Sequence, residues 1–123
     1  MYMRQRPVFL NLFKIHLPLP GFVSILHRIS GVFNILVFPL LIYLYALLPQ
    51  GVEAEKLLNF FWVKLMLWAT MTAFVYHFFA GLRHMYFDFT HIHHLSTARR
   101  LAWCVLVVSV LSSLWIGVRI WFI

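Results

Sequence analysis

Residues 29–48 read ISGVFNILVFPLLIYLYALL and contain no Asp, Glu, Lys or Arg. A helix of this length, at about 1.5 Å of rise per residue, crosses the roughly 30 Å hydrocarbon core of a bilayer. Two further runs without those residues, Leu65–Leu82 and Leu101–Val118, are nearly as long. The sequence therefore predicts a single-domain, all-α membrane protein with three transmembrane helices, at about residues 21–48, 60–89 and 98–123.

The composition excludes an ordinary soluble domain. Hydrophobic residues make up 63% of the 123-residue chain, and charged residues only 11%. A soluble domain of this size leaves much of its surface in water and cannot bury so many apolar side chains. The net charge of +7 does not predict a nucleic-acid partner, because the basic residues lie at the ends of the apolar runs rather than in one patch. The basic residues are instead expected to contact the surface of a lipid membrane.

Lysine and arginine are unevenly distributed between the two sides of the predicted spans. An excess of these residues marks the cytoplasmic side of a membrane protein. The N-terminus and the second loop are therefore predicted to be cytoplasmic, with residues 1–20 as an interfacial leader, and the C-terminus is predicted to lie outside. The basic side holds Arg4, Arg6, Lys14, Arg28, Arg83, Arg99 and Arg100, and the other side holds Lys56, Lys64, Arg119, Glu53 and Glu55.

The motif SILHRISG, residues 24–31, stands at the cytoplasmic end of the first span. Ser24, His27, Arg28 and Gly31 are spaced i, i+3, i+4 and i+7, so they share one helix face, and the glycine permits close approach of a neighbour. Two interpretations stay open. The face forms a binding site at the membrane surface, or Arg28 extends to lipid phosphate while Ser24 caps the helix.

A second motif, YHFFAGLRHMYFD, occupies residues 76–88. His77 is the only His, Asp, Glu, Lys or Arg between Leu65 and Leu82, and a neutral imidazole at that depth needs a hydrogen-bond partner or a metal. One interpretation makes His77 a ligand. The other makes it a hydrogen-bond partner of a neighbouring helix, with the small residues serving helix packing. The residues on roughly its face are small or polar: Thr70, Ala73, Gly81, His84 and Asp88.

The spacing of the histidines limits how a haem could be held. His77 and His84 lie about 10 Å apart along one helix face, so they cannot be the two axial ligands of one iron. His27 is expected nearer the surface, and no other span offers a histidine at the depth of His77. A haem with two histidine ligands would therefore need a second chain. His27, Arg28 and His84 would remain for the propionates, which suit the planar donor fork of arginine.

The histidines of the second loop are weaker candidates for a site. His91, His93 and His94 could bind a transition metal, but no cysteine and no carboxylate other than Asp88 is near them in the sequence. A loop facing solvent or lipid headgroups is the preferred interpretation. Cys104 is the single cysteine and is expected to act as a small apolar residue.

At these motifs the chain resembles the cytochrome b large membrane-anchor subunit of succinate dehydrogenase, respiratory complex II. Arg6–Pro7 matches the leader signature of that family, and SILHRISG matches its first-helix signature. The residues from His77 to Asp88 match the pattern H-x(3)-G-[LI]-R-H-x(3)-D. The resemblance covers the whole chain in length, number of spans and order of motifs.

The resemblance implies a haem b shared with a second small anchor subunit, so that this chain is half of a larger helical bundle. It makes His77 the axial ligand of the haem iron and places His27 and Arg28 near the propionates, whereas His84 and Asp88 match the signature without receiving a role from it. It also makes Ser24 and Arg28 quinone-binding residues. The loop histidines receive no role from it.

The resemblance further implies a four-subunit succinate:quinone oxidoreductase of the bacterial or mitochondrial inner membrane. A flavoprotein subunit oxidises succinate, an iron–sulfur subunit relays the electrons, and quinone is reduced at the anchor. Two related alternatives stay open, the anchor of a fumarate reductase and a structural anchor without haem. A transporter subunit with His77 as proton relay would require paired acidic residues within the spans, which the sequence lacks.

The orientation can be tested with reporters. A reporter fused after Ile123 should lie outside the cytoplasm, and the same reporter inserted at residues 91–97 should be cytoplasmic, because Lys and Arg are retained on the inner side. Paired fusions to an enzyme active only outside and to a fluorescent protein that folds only inside measure this. The reverse pattern would overturn the placement of both motifs.

Overall fold

The computed structural model describes the chain at residues 17–91 and 94–122, so most of the predicted leader lies outside the described residues. Within those ranges the chain forms four α-helices, and a 3-10 turn at Leu48–Gln50 follows the first. We label them α1 (Leu19–Leu47), α2 (Val52–Leu58), α3 (Phe61–Thr90) and α4 (Leu95–Trp121).

The three long helices confirm the predicted all-helical class. Each of α1, α3 and α4 is long and apolar enough to cross a membrane. Helix α1 begins directly after Pro18, with a further proline in its first turn, where the fixed φ of proline suits helix initiation. It continues through Pro39, as transmembrane helices do when neighbouring groups accommodate the freed carbonyl. All six ends of these three helices lie within three residues of the positions expected from the sequence.

The predicted loop at residues 49–59 differs from the structure. It contains the seven-residue helix α2, which starts after Gly51 at φ 66° and is built from VEAEKLL. Glycine adopts this positive φ without strain because it has no Cβ. At Gly51 the chain therefore turns out of the 3-10 segment and into α2. Glu, Ala, Lys and Leu are strong helix formers, so the segment is helical although it is short.

Helix α3 is the centre of the bundle. It packs along both α1 and α4, whereas α1 and α4 contact each other over a smaller region. The fully buried side chains are small: Val23, Ala80 and Ala102 are each 0% exposed. Small residues let the helix backbones approach closely, which is the main source of packing energy between helices in lipid. This core lies at the end of the bundle that holds the N-terminus of α1.

Hydrogen bonds between helices supplement this packing. The Trp68 indole N–H donates to the Ser113 carbonyl at 2.9 Å, and the hydroxyls of Thr72 and Ser113 are 2.9 Å apart. The Tyr76 hydroxyl donates to the Val23 carbonyl at 2.7 Å. The first two bonds join α3 to α4. The third joins α3 to α1 at the buried core.

Large apolar side chains cover the outside of the bundle. Ile35 is 75% exposed, Leu36 73% and Leu114 62%. Such a surface would be strongly unfavourable in water, and it suits a lipid environment in which backbone polar groups are satisfied within helices. A second anchor chain, which the sequence predicts, would pack on part of the same surface.

The small core can be tested by one substitution made at two sites. Ala102→Leu should destabilise the fold by about 1–3 kcal/mol, because Ala102 is 0% exposed and the added atoms have no space. Ala46→Leu, on the exposed side of α1, is the matched control and should be neutral. Thermal denaturation midpoints of the purified variants measure the difference. Equal midpoints would contradict the assigned packing of α3 against α4.

Candidate functional site

Three histidines meet where α1 packs against α3. The rings of His27 and His77 are stacked, with centroids 4.2 Å apart and planes at 12°. The ring of His84 lies 5.1 Å from that of His27 at 43°. His77 lies against Gly31, one turn after His27 on α1, and His27 lies against Gly81, one turn after His77 on α3. Because α1 and α3 run in opposite directions, His27 lies nearer than His77 to the end of the bundle that holds the N-terminus of α1, which is the order expected from the sequence.

Glycines make this close arrangement possible. A Cβ at Gly31 would lie 2.9 Å from Cε1 of His77, closer than real Cβ contacts come. A Cβ at Gly81 would lie 3.5 Å from Nε2 of His27, which is an ordinary contact. Glycine within a helix costs about 1 kcal/mol relative to alanine. The predicted close approach at Gly31 is confirmed, and the side chain that approaches it is His77.

The hydrogen bonds of His77 define its tautomer. Nδ1 lies 3.0 Å from the main-chain carbonyl oxygen of His27 and 3.2 Å from Oγ of Ser30. A carbonyl oxygen only accepts, so Nδ1 carries the proton and donates it. The Ser30 hydroxyl itself donates to the His27 carbonyl at 2.9 Å. In the neutral imidazole Nε2 is then the unprotonated nitrogen, which is the form that binds a metal.

Nε2 of His77 has no hydrogen-bond partner among the residues that the structure describes, so it is available to a ligand. Nε2 of His27 is buried and also lacks a partner within the described part of the chain. Buried polar atoms are normally hydrogen-bonded, and an orphan in a cluster of imidazoles indicates a missing polar group. The cluster therefore combines an unprotonated imidazole nitrogen on His77 with a buried imidazole nitrogen on His27 that has no partner in the described part of the chain.

Ser24 and Arg28 lie on α1 at the edge of this cluster. They are one turn apart, about 6 Å along the axis. Arg28 is exposed and Ser24 is half-buried. The alternative that Ser24 caps the helix is wrong, because α1 begins at Leu19 after an N-cap at Pro18. Both polar groups thus remain available near the end of the span.

A groove between α1 and α3 extends two turns beyond the cluster. It is mainly apolar, and its lining includes Asn34 and Thr70. The Thr70 hydroxyl donates to the Met66 carbonyl within its own helix at 2.8 Å, whereas Oδ1 of Asn34 is buried without a partner among the described groups. Asn34 follows His27 by seven residues on α1, so the groove continues the helix face on which His27 lies.

Arg83 is the main residue whose burial the sequence did not indicate. It lies within α3, as the predicted span 60–89 implies, but it is only 7% exposed. Its Nη2 lies 3.5 Å from the Ala98 carbonyl, and its guanidinium lies 5.2 Å from the centroid of Phe87. It links α3 to the first turn of α4. Ser30 also went unnoticed, although its place three residues after His27 put it on a similar face.

The histidines of the second loop do not form a site in the described structure. His91 closes α3 in a left-handed conformation, φ 52°, and is exposed. His94 is the N-cap of α4 and is also exposed, and His93 lies outside the described residues. Within residues 17–91 and 94–122 no group of three His, Cys, Asp or Glu side chains is arranged to hold a metal ion.

Known proteins similar to this chain belong to one family. Residues 3–116 match the sequence profile described as succinate dehydrogenase/fumarate reductase transmembrane subunit. The succinate dehydrogenase cytochrome b556 subunit of Coxiella burnetii is 37% identical over 122 residues, covering 95% of this chain and 98% of that protein. The subunit of the same name from Rickettsia felis is 28% identical, covering 91% and 92%. That from Rickettsia typhi is 30% identical, covering 76% and 77%.

Proposed function

The chain belongs to the succinate dehydrogenase/fumarate reductase transmembrane subunit family, and we propose that it is the haem- and quinone-binding anchor of a succinate:quinone oxidoreductase. The similar proteins from Coxiella and Rickettsia are named as succinate dehydrogenase subunits, which supports the direction of succinate oxidation. The observation that carries the proposal is the state of His77, with Nδ1–H anchored on a main-chain carbonyl and Nε2 free.

The residues of the cluster fit a haem b. Histidine ligands of metals usually donate their other N–H to a carbonyl or carboxylate, as His77 does. Nε2 of His77 would then bind the haem iron from this chain. His27 is not assigned as the second ligand, because its ring is stacked on the His77 ring and two ligands on opposite sides of one iron cannot be stacked on each other. A second ligand would come from a partner anchor subunit, and the haem would supply a one-electron store when bound.

The groups around His77 suit the propionates. His27 has a buried ring nitrogen without a partner, and His84 lies against the same ring. Arg28, one residue further along α1, provides the planar donor fork that binds carboxylates in two-point contact. These residues would neutralise and orient the two acidic groups at the end of the membrane core.

The quinone headgroup is assigned to Ser24 and Arg28. The Ser24 hydroxyl can donate to a quinone carbonyl, and the Arg28 guanidinium stabilises the negative charge that develops on the ring during reduction. Their place near the start of α1 gives access to water for the protons and to a peripheral iron–sulfur subunit for the electrons. A flavoprotein subunit completes the path from succinate, with both peripheral subunits on the cytoplasmic or matrix side.

The haem ligand is tested by comparing two histidines. His77→Ala in the assembled complex should abolish or strongly alter the low-spin b-type absorption, since the imidazole is lost. His91→Ala should leave the spectrum unchanged, because His91 is exposed at the end of α3. Reduced-minus-oxidised spectra at matched complex content measure this. A normal spectrum for the His77 variant would refute the ligand assignment.

The quinone pocket is tested by separating two activities of one complex. Arg28→Leu should slow succinate-driven quinone reduction at least about tenfold, because a charged hydrogen bond contributes roughly 1.5–3 kcal/mol. Ser24→Ala should slow the same step. Electron transfer from succinate to an artificial acceptor, which takes electrons before the quinone, should persist in both variants.

Arg28→Lys distinguishes the pocket from lipid anchoring. If Arg28 only contacted lipid phosphate, lysine would replace it fully because it keeps the positive charge. If Arg28 binds the quinone, lysine should support quinone reduction only in part, because it lacks the planar donor fork of arginine. Full activity of Arg28→Lys together with a silent Ser24→Ala would show that the two residues serve the membrane interface alone.

A further inference from the structure

We propose that Ser30 and Gly31 are positioning residues for His77, which hold its imidazole with Nδ1–H donated into α1 and Nε2 left free for the iron. The proposal rests on the function proposed above, because it concerns the haem ligand assigned there. Neither residue is itself a ligand. Both belong to α1, whereas the ligand belongs to α3, so the first span sets the geometry of a group on the second.

Gly31 fixes where the ring can lie. A Cβ at this position would stand 2.9 Å from Cε1, 3.3 Å from Nδ1 and 3.8 Å from Nε2 of His77. The ring would have to move away from α1, and the 3.0 Å contact of Nδ1 with the His27 carbonyl would lengthen. Gly31 has an ordinary helical backbone, so the glycine is required by the imidazole and not by a left-handed conformation.

Ser30 acts on the electronic character of the ring. The carbonyl of His27 requires the proton on Nδ1, so the Ser30 oxygen, at 3.2 Å, can only accept a share of the same N–H. Ser30 then uses its own hydrogen to bond the His27 carbonyl at 2.9 Å. Two acceptors on Nδ1–H draw its proton outward and raise the basicity of Nε2. A more basic ligand stabilises ferric iron over ferrous iron, so Ser30 should lower the haem midpoint potential.

The surroundings of Ser30 allow conservative replacement. Ser30 is 8% exposed and lines a groove that α1, α3 and α4 form together. Ser30→Thr keeps the hydroxyl and places one added methyl group beside this groove. Ser30→Ala removes the acceptor and adds no volume. The pair separates a hydrogen-bonding role from a packing role.

The experiment uses the assembled complex with three variants and two matched controls. The variants are Gly31→Ala, Ser30→Ala and Ser30→Thr. Gly117→Ala inserts a Cβ 3.1 Å from Nε1 of Trp68, a similarly tight contact away from the histidine cluster. Ser109→Ala removes a buried hydroxyl that lacks a partner among the described residues. Two quantities are measured at equal complex content: loss of haem to an excess of a haem-scavenging protein, and the haem midpoint potential by redox titration.

Gly31→Ala should weaken haem retention by roughly tenfold or more relative to Gly117→Ala, as expected for loss of a group that orients a metal ligand. Ser30→Ala should retain haem but shift the midpoint potential upward, and Ser30→Thr should return it close to the unmodified complex. If Gly31→Ala does not assemble, the Ser30 pair and its control still decide the question.

Equal haem retention for the two glycine variants, or equal potentials for Ser30→Ala and Ser109→Ala, would overturn the positioning role. The failure of the underlying function has a different signature. A His77→Ala complex that keeps its b-type spectrum refutes haem ligation itself. Loss of haem in that variant, with unchanged Ser30 and Gly31 variants, refutes only the positioning proposal.

Discussion

The hydrogen bond from Nδ1 of His77 to the main-chain carbonyl of His27 is the interaction on which the site depends. It joins α3 to α1 within the apolar part of the chain, where an unpaired imidazole N–H would be costly. It also decides which ring nitrogen is free. Because the acceptor is main chain, replacing the His27 side chain leaves it in place. The contact forms only because Gly31 has no side chain at the point where the ring reaches α1.

The sequence predicted the long helices well because hydrophobic length is a strong and local signal. It also placed His77, Gly31 and the Ser24–Arg28 face on the correct helices. It missed α2, since seven residues of good helix propensity between two spans resemble a polar loop. Residue spacing gives heights along one helix, whereas the relative height of two antiparallel helices is set by their packing. The stacking of His27 on His77 therefore could not be predicted from the spacing within either helix.

Arg83 and Ser30 show a second limit of reading a sequence alone. An arginine near the end of a span usually extends toward the interface, and only the packing of α4 against α3 shows that Arg83 is covered. Ser30 is one of many small polar residues in transmembrane helices. Its significance depends on an imidazole from a different helix, 47 positions later in the chain. The tautomer of His77 likewise follows from a contact between helices that no local pattern contains.

The uneven packing of the three long helices affects how stable the chain is in the cell before it is assembled. The fully buried core is confined to one end, while Asn34 Oδ1, Ser109 Oγ and His27 Nε2 are buried polar atoms without partners in the described structure. A copy of the chain on its own therefore carries buried polar atoms without hydrogen bonds, which costs stability. Cells continuously remove poorly stable proteins through chaperones and proteases. The abundance of this chain should accordingly follow the supply of whatever groups complete these hydrogen bonds more closely than its own rate of synthesis.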